Sequence, residues 1–205
     1  MNKHYTIIIP IFNEYLKIEK LLKSLKEFSD FGHEVLIIDD GSTDGSKEIL
    51  ATCDFIHLIN QDTNKGKGIA IIQGLKKAKN NKIIIFDGDL ELNPTEIKKF
   101  MILDKNKNIN SVCGNRFNNY QAKSIWDIGN KLFTILFNFI NNSNIKDSLC
   151  CAKSFFKSDI NINTLSSKKF EIDVEITSKL VQTYSSVKNI NLKYQRRTIQ
   201  EGKKL

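Results

Sequence analysis

Four short runs rich in β-branched residues, at 5–11, 34–38, 55–59 and 82–86, alternate with segments whose apolar residues recur at helical spacing. Each run stops at a polar turn, and no other property of the chain narrows its fold as far. Parallel neighbours in a sheet need a crossover, and a crossover helix covers one face of the sheet. The alternation therefore predicts an α/β chain: a mainly parallel central sheet with helices on both faces and right-handed crossovers. Ligands in such sheets bind beyond the carboxyl ends of the strands. The polar turns fall there: 10–14 after the first run, 39–42 after the second and 87–89 after the fourth.

The helical segments are legible in the same way. Ile18, Leu21, Leu22, Leu25 and Phe28 mark one face of a helix, for which Asn13 is the expected N-cap. The turn 41–45 opens a short helix, residues 69–78 form another, and Asn93-Pro94-Thr95-Glu96 has start chemistry for a helix to Leu103. A fifth strand is expected at 111–114. The second half is less regular, with a long helix at 125–140, strand-like runs at 150–156 and 187–194, and a helical pattern at 174–181. Trp126 and the phenylalanines of 133–139 are read as core, with a membrane-facing helix as the alternative. Without a repeat or a linker, 205 residues read as one domain.

Charge and composition exclude several classes. The longest strongly apolar stretch, 132–140, contains Thr134 and Asn138 and is far short of a spanning helix. The N-terminus runs straight into a strand, with no secretory signal expected. Cys53, Cys113, Cys150 and Cys151 form no CxxC pair and read as reduced thiols of a cytoplasmic protein. His4, His33 and His57 are scattered beside strands. The net charge is +8, and residues 193–205, with five basic residues against one acid, supply half of it. A basic tail on a nearly balanced body suits phosphorylated ligands or peripheral contact with an anionic membrane better than nucleic acid.

Asp87-Gly88-Asp89 delivers two carboxylates to the sheet edge. Hard oxygen ligands in such a loop suit Mg²⁺ or Mn²⁺ shared with a diphosphate, and Gly88 would let a ligand approach the backbone. Alone, the triplet fits a surface turn as well. Asp39 and Asp40 end a buried strand and offer acceptors for a base or ribose, while part of 41–45 serves helix capping. Asn64-Lys65-Gly66-Lys67-Gly68 lacks the spacing of a P-loop, and no GxGxxG follows the first strand. The basic glycine loop, with Lys67, still opens a helix toward an anion.

Taken together, IIIPIFNE (7–14), VLIIDDGSTDGS (35–46), NKGKGIAIIQGL (64–75) and IIIFDGDLELNP (83–94) resemble glycosyltransferase family 2, the inverting nucleotide-sugar transferases with a GT-A fold. CGNRF (113–117), GNKLFTILFNFI (129–140), DSLCCAKSFF (147–156), FEIDVEITSKL (170–180) and YQRRTIQEGKKL (194–205) are similar to its polyprenyl-phosphate branch, which includes dolichol-phosphate mannosyltransferase. DSLCCAK is a loose version of that branch's acidic-plus-cysteine segment, and many relatives continue beyond the last motif. The QxxRW element of processive synthases is absent, as is the GxGxR opening of pyrophosphorylases.

The resemblance implies transfer of one hexose from a UDP- or GDP-sugar to a lipid phosphate, with inversion, the nucleotide-sugar-binding part lying at about 1–115 and the acceptor side at about 116–205. Pro10, Asn13, Glu14, Asp39 and Asp40 would form the nucleotide pocket, joined by Lys67 and Gly88, and Asp87 and Asp89 would hold the metal. Arg116, Arg197, Lys203 and Lys204 would meet the phosphates. For a hydroxyl acceptor a base is needed, and Asp147 is the candidate. The chemistry is thus assigned to Asp89, Arg116, Asp147 and Arg197. Two competing readings remain: a hexosyltransferase acting on a glycan hydroxyl, and a silent nucleotide-sugar-binding domain. The tail 194–205, repelled by its own charge, is expected to be mobile until a diphosphate binds.

Overall fold

The computed structural model describes residues 3–117 and 125–197. The side chains of Ile125 and Trp126 fall outside that description, as do Lys203 and Lys204. Seven strands form one sheet: β1 (Tyr5–Ile11), β2 (Glu34–Asp39), β3 (His57–Asn60), β4 (Lys82–Ile85), β5 (Ser111–Asn115), β6 (Lys153–Phe156) and β7 (Lys188–Asn191). Their order is β3-β2-β1-β4-β6-β5-β7. β6 runs antiparallel to both of its neighbours, and every other pairing is parallel. The α/β expectation holds, with β3, β6 and β7 shorter than their apolar runs.

The core lies on both faces because β1 is buried on both. Ile7, Ile9 and Ile11 pack with Leu21, Leu25 and Phe28 of α1 (Tyr15–Asp30). Ile8 packs on the other face with Ile71 and Leu75 of α3 (Lys67–Lys77) and with Ile172 and Ile176 of α5 (Ile172–Thr183). Pro10 is tolerated in this central strand because it lies past the last β4 pairing, Ile8 with Ile85. Its missing N–H leaves no rung of that ladder unmade.

Three expectations change. Asn13 does not cap α1: it adopts a left-handed conformation, φ 54°, and its Oδ1 accepts a hydrogen bond from Thr43 N at 2.8 Å. The start of α1 is served from the neighbouring loop instead, where Ser46 Oγ accepts from Glu14 N and Asp44 Oδ2 accepts from Tyr15 N, each at 2.9 Å. The helix expected to reach Leu103 is a 3-10 segment, Pro94–Phe100, although Asn93 does cap it by accepting from Thr95 N.

The third change concerns α4 (Ile125–Asn141), most of whose apolar stripe is not core: of the phenylalanines expected inside, Phe137 is buried, but Phe133 and Phe139 are exposed. Asp127, Thr134 and Phe137 are its buried positions, whereas Ile128, Leu132, Ile135, Leu136, Phe139 and Ile140 are exposed. The inward face is held by polar contacts. Thr134 Oγ1 lies 3.0 Å from Ser148 Oγ, and Asn138 Nδ2 donates to Ile145 O at 2.8 Å. Among the described residues, no helix is long and apolar enough to cross a membrane.

Candidate active site

The loops after β1, β2 and β4 converge at one edge of the sheet, as their placement in the sequence implies. Asn13 N donates to Ser42 Oγ at 2.9 Å, which joins the first two loops. The Arg197 guanidinium joins the first to the third. It donates to both oxygens of Glu14, at 2.8 and 2.9 Å, and lies 3.1 Å from Asp89 Oδ2. The residues after β2 end in a tight turn through Gly41, φ 74°, where a Cβ would come 2.5 Å from the Thr63 carbonyl carbon. Only glycine lets the 39–42 and 61–66 loops close on each other there.

Asp39 is fully buried, and one of its oxygens accepts from Ser42 N at 3.2 Å. Its Oδ1 has no partner, and neither does either side-chain polar atom of the buried Gln61, whose backbone N–H donates to Asp39 O. Buried polar groups are almost always paired, so orphaned acceptors and donors at a strand's carboxyl end point to a polar ligand. Gln61 carries no local motif, and sequence reasoning passes over it. Asp40, by contrast, accepts from Lys65 N at 2.8 Å and Gly66 N at 2.9 Å. It holds the basic glycine loop in place, and burial raises its pKa despite those two bonds.

Asp87 and Asp89 are treated differently by their surroundings. The buried Lys67 ammonium sits 2.8 Å from Asp87 Oδ1 and 2.8 Å from Asp173 Oδ2. Burial opposes charge on both partners. Even so, Lys67 is held well above an ordinary lysine by Asp173 and Asp87, and Asp87 is held below an ordinary carboxyl by Lys67. The pKa of Asp89 is pushed up to about 6 by burial and then by the neighbouring Asp87 charge, with Arg197 opposing. Gly88 does not open the backbone to a ligand: a Cβ there would fall 2.1 Å from Ile11 Cδ1, so its smallness serves core packing.

Arg116, just after β5, grips Asp147 with Nε at 2.7 Å and Nη2 at 2.9 Å, and its backbone N–H also donates to that carboxylate. Asp147 is fully buried and committed to this pair, which raises the Arg116 pKa against the effect of burial. A carboxylate so held positions Arg116 and does not serve as a free base. Asp147→Ala should therefore lower stability by about 2–3 kcal/mol, since Arg116 would lose its counter-charge but keep part of its hydration. Denaturant unfolding would measure this, with Asp147→Asn recovering part of the loss.

Residues 194–197 of the tail are tied to the body, while the rest of the segment expected to be mobile, 198–205, lies outside the described residues. Arg197 N and Tyr194 OH donate to the two oxygens of Glu91, at 3.1 and 2.7 Å. Arg196 lies 3.6 Å from Asp127 in the first turn of α4. The described cations Arg196 and Arg197 each meet a carboxylate of the body. Glu91, Asp173 and the buried Lys153, which contacts Asp173 at 3.8 Å and donates to Cys150 O, complete the site. None of them has a local signature; all three lie in segments that the family resemblance picks out only as blocks.

The sequence profile described as Glycosyl transferase family 2 matches residues 6–161. The chain belongs to glycosyl transferase family 2. A family relative, the uncharacterized glycosyltransferase YkcC of Bacillus subtilis, is 37% identical over half of this chain and 34% of its own length. The undecaprenyl-phosphate 4-deoxy-4-formamido-L-arabinose transferase of Photorhabdus laumondii is 26% identical over 94% of this chain and 66% of its own length. The chain thus spans about a third to two thirds of these curated relatives. Glucosyl-3-phosphoglycerate synthase of Mycobacterium tuberculosis has the same fold, with a TM-score of 0.71 at 16% identity over 95% of this chain and 72% of that one. Its complex with Mn²⁺, UDP and glucosyl-3-phosphoglycerate superimposes with a TM-score of 0.65 at 14% identity, over 97% and 74%.

Proposed function

We propose that this family 2 glycosyltransferase moves one hexose from a UDP- or GDP-sugar to a polyprenyl-type lipid phosphate, with inversion. The observation that carries the reading is the interleaving of Lys67 and Arg197 with Asp87, Asp89 and Glu14 at the carboxyl edge of the sheet. That set supplies cations for a diphosphate and carboxylates for a divalent ion. On this reading the 1–115 part binds the donor and 116–205 serves the acceptor, within a single domain.

The donor's base would lie against Asp39 Oδ1 and the Gln61 amide, an acceptor beside a donor–acceptor pair, which matches the imide edge of uracil or the corresponding edge of guanine. Pro10, Asn13 and Glu14 wall the pocket. Asp87 and Asp89 fit Mg²⁺ or Mn²⁺ bound by two carboxylates and completed by phosphate oxygens, the usual way Mg²⁺ is held. The donor set favours this over an all-protein cage, since no group of three ligating side chains forms among the described residues. The raised pKa of Asp89, with two acids side by side, is the condition a cation would relieve. Bound there, such an ion offsets charge on the leaving diphosphate as a Lewis acid. Mn²⁺ and UDP in the mycobacterial relative support the same assignment.

Arg197 is placed to exchange its carboxylates for phosphate oxygens, which it can meet in a forked geometry. Lys203 and Lys204 follow it in sequence and are assigned to the same anions. Arg116, aligned by Asp147, stands with its guanidinium 5.6 Å from the Tyr194 ring, on the side of the tail. A phosphate acceptor is mostly dianionic at neutral pH, its second pKa being about 6, and needs no base. A hydroxyl acceptor would, yet Asp147 is bound to Arg116 and Asp173 to Lys67. The commitment of both carboxylates favours phosphate, as does the resemblance to an undecaprenyl-phosphate sugar transferase.

The test is a panel of UDP- and GDP-hexoses, with nucleotide release followed with and without polyprenyl phosphate. Release that depends on the lipid phosphate is expected; release driven equally well by glycans alone would overturn the acceptor assignment. Truncation after Lys193 should keep the circular dichroism spectrum of the full chain and abolish transfer. Its donor binding should weaken most at low salt, where charge attraction is least screened.

A further inference from the structure

The basic glycine loop at the start of α3 receives backbone and not an anion. Gly68 N and Ile69 N, first-turn donors of that helix, both donate to Lys168 O, at 2.8 and 3.3 Å. A Cβ at Gly68 would fall 2.1 Å from Ser167 O, and one at Gly66 would fall 2.5 Å from Lys168 O. Only glycines let the segment 166–170 lie directly on the loop. The segment is tied to α5 as well. Ser166 N and Ser167 N donate to the Glu175 carboxylate, at 3.0 and 2.9 Å, and Asp173 N donates to Phe170 O at 3.2 Å.

What this framework holds up is a phenyl ring. Phe170 is 75% exposed, although the backbone on either side of it is bonded. A single exposed apolar side chain needs no explanation, but this one is aimed. Its face, and not its edge, looks into the site, because the Lys67 ammonium stands over the ring, 5.7 Å from its centroid. The same ammonium meets Asp87 and Asp173, at 2.8 Å each. One side chain thus links the ring to a carboxylate assigned to the diphosphate's metal. The flank at Asp89 is ionic instead, with Arg197 between Asp89 and Glu14.

We infer that the Phe170 ring is a stacking platform for the donor's hexose, and so a residue that separates the sugar nucleotide from the bare nucleotide. The inference deepens the donor reading and rests on it. A hexose hangs from the diphosphate by one glycosidic oxygen, so it lies beside whatever holds the diphosphate. It presents a rim of hydroxyls and a face of C–H groups. Charged side chains serve the rim. The negative face of an aromatic ring draws polarised C–H groups as it draws the Lys67 ammonium. An isoprenoid chain would need a continuous apolar track, whereas the groups across from this ring are Lys67, Asp87 and Asp173.

The test is calorimetric titration of the full chain, in the presence of Mn²⁺, with UDP-glucose, UDP-galactose and GDP-mannose, and with UDP and GDP alone. Phe170→Ala should bind the preferred sugar nucleotide about tenfold more weakly than the wild type does, and the bare nucleotide within about twofold of it. Phe170→Trp should restore the affinity, and Phe170→Leu, apolar but without a π face, should not. All three should keep the wild-type melting curve, since the side chain is exposed. Equal weakening toward sugar nucleotide and bare nucleotide would overturn the inference and make the ring a shield for Lys67. Unchanged affinity for both would also overturn it, and a raised KM for polyprenyl phosphate in that case would assign the ring to the acceptor. A wild type that binds none of the sugar nucleotides would sink the donor reading itself.

Discussion

Asp89→Ala is expected to slow sugar transfer at least about a hundredfold, the scale on which one electrostatic contact to developing charge acts in a site of this kind. Its effect on folding should be small. Arg197, which meets Asp89 at 3.1 Å, keeps its two-pronged contact with Glu14 in the variant. Excess chelator should depress the wild-type rate to a similar degree. Steady-state kinetics beside a thermal melt separates the two effects: near-native melting with lost turnover is the expected pattern. A variant that unfolds in step with its loss of rate would make Asp89 a structural residue, and full wild-type activity in chelator would remove the metal from the account.

Lys67→Met should have the largest effect on stability. The side chain is about as long as lysine but carries no charge, so Asp87 and Asp173 would be left facing one another across the space where the ammonium stood. Both meet that cation at 2.8 Å, and the second cation nearby, Lys153, lies farther off, 3.8 Å from Asp173. Removing one partner of a buried ion pair costs about 3–5 kcal/mol, because the other charge stays buried without compensation. Urea unfolding would show a lower midpoint at unchanged slope. The double variant Lys67→Met, Asp173→Asn should recover part of the loss, since one of the two stranded charges is then gone. No recovery would mean that the loss comes from packing around the lysine stem and not from the stranded carboxylates.

What could be read from the chain follows from the range over which each signal acts. β1, β2 and β4 announce themselves because strands buried on both faces are continuous apolar runs, and the turn that ends each one is where a ligand site has to be. Asn13 shows the limit of local rules: its type and position satisfy every criterion for an N-cap, but Thr43, 30 residues away, takes its side chain. The stripe on α4 reveals a face and not what lies against it, since periodicity is the same for a core helix and an interfacial one. The pairs Arg116–Asp147 and Lys67–Asp173 join residues 31 and 106 positions apart. Nothing in composition or spacing marks Asp173 or Lys153, because a buried charge is identifiable only through its partner. The charge count of the tail likewise names cations without their partners: Glu14 and Asp89, which meet the Arg197 guanidinium, lie 183 and 108 positions before it.

The most direct measurement is mass spectrometry of the lipid fraction after the full chain has been incubated with a UDP- or GDP-hexose, Mn²⁺ and a polyprenyl phosphate. The account predicts a lipid phosphate carrying one hexosyl unit, formed in step with nucleotide release and at least about a hundredfold more slowly with Asp89→Ala. Nucleotide released at the same rate without any sugar on the lipid would contradict it.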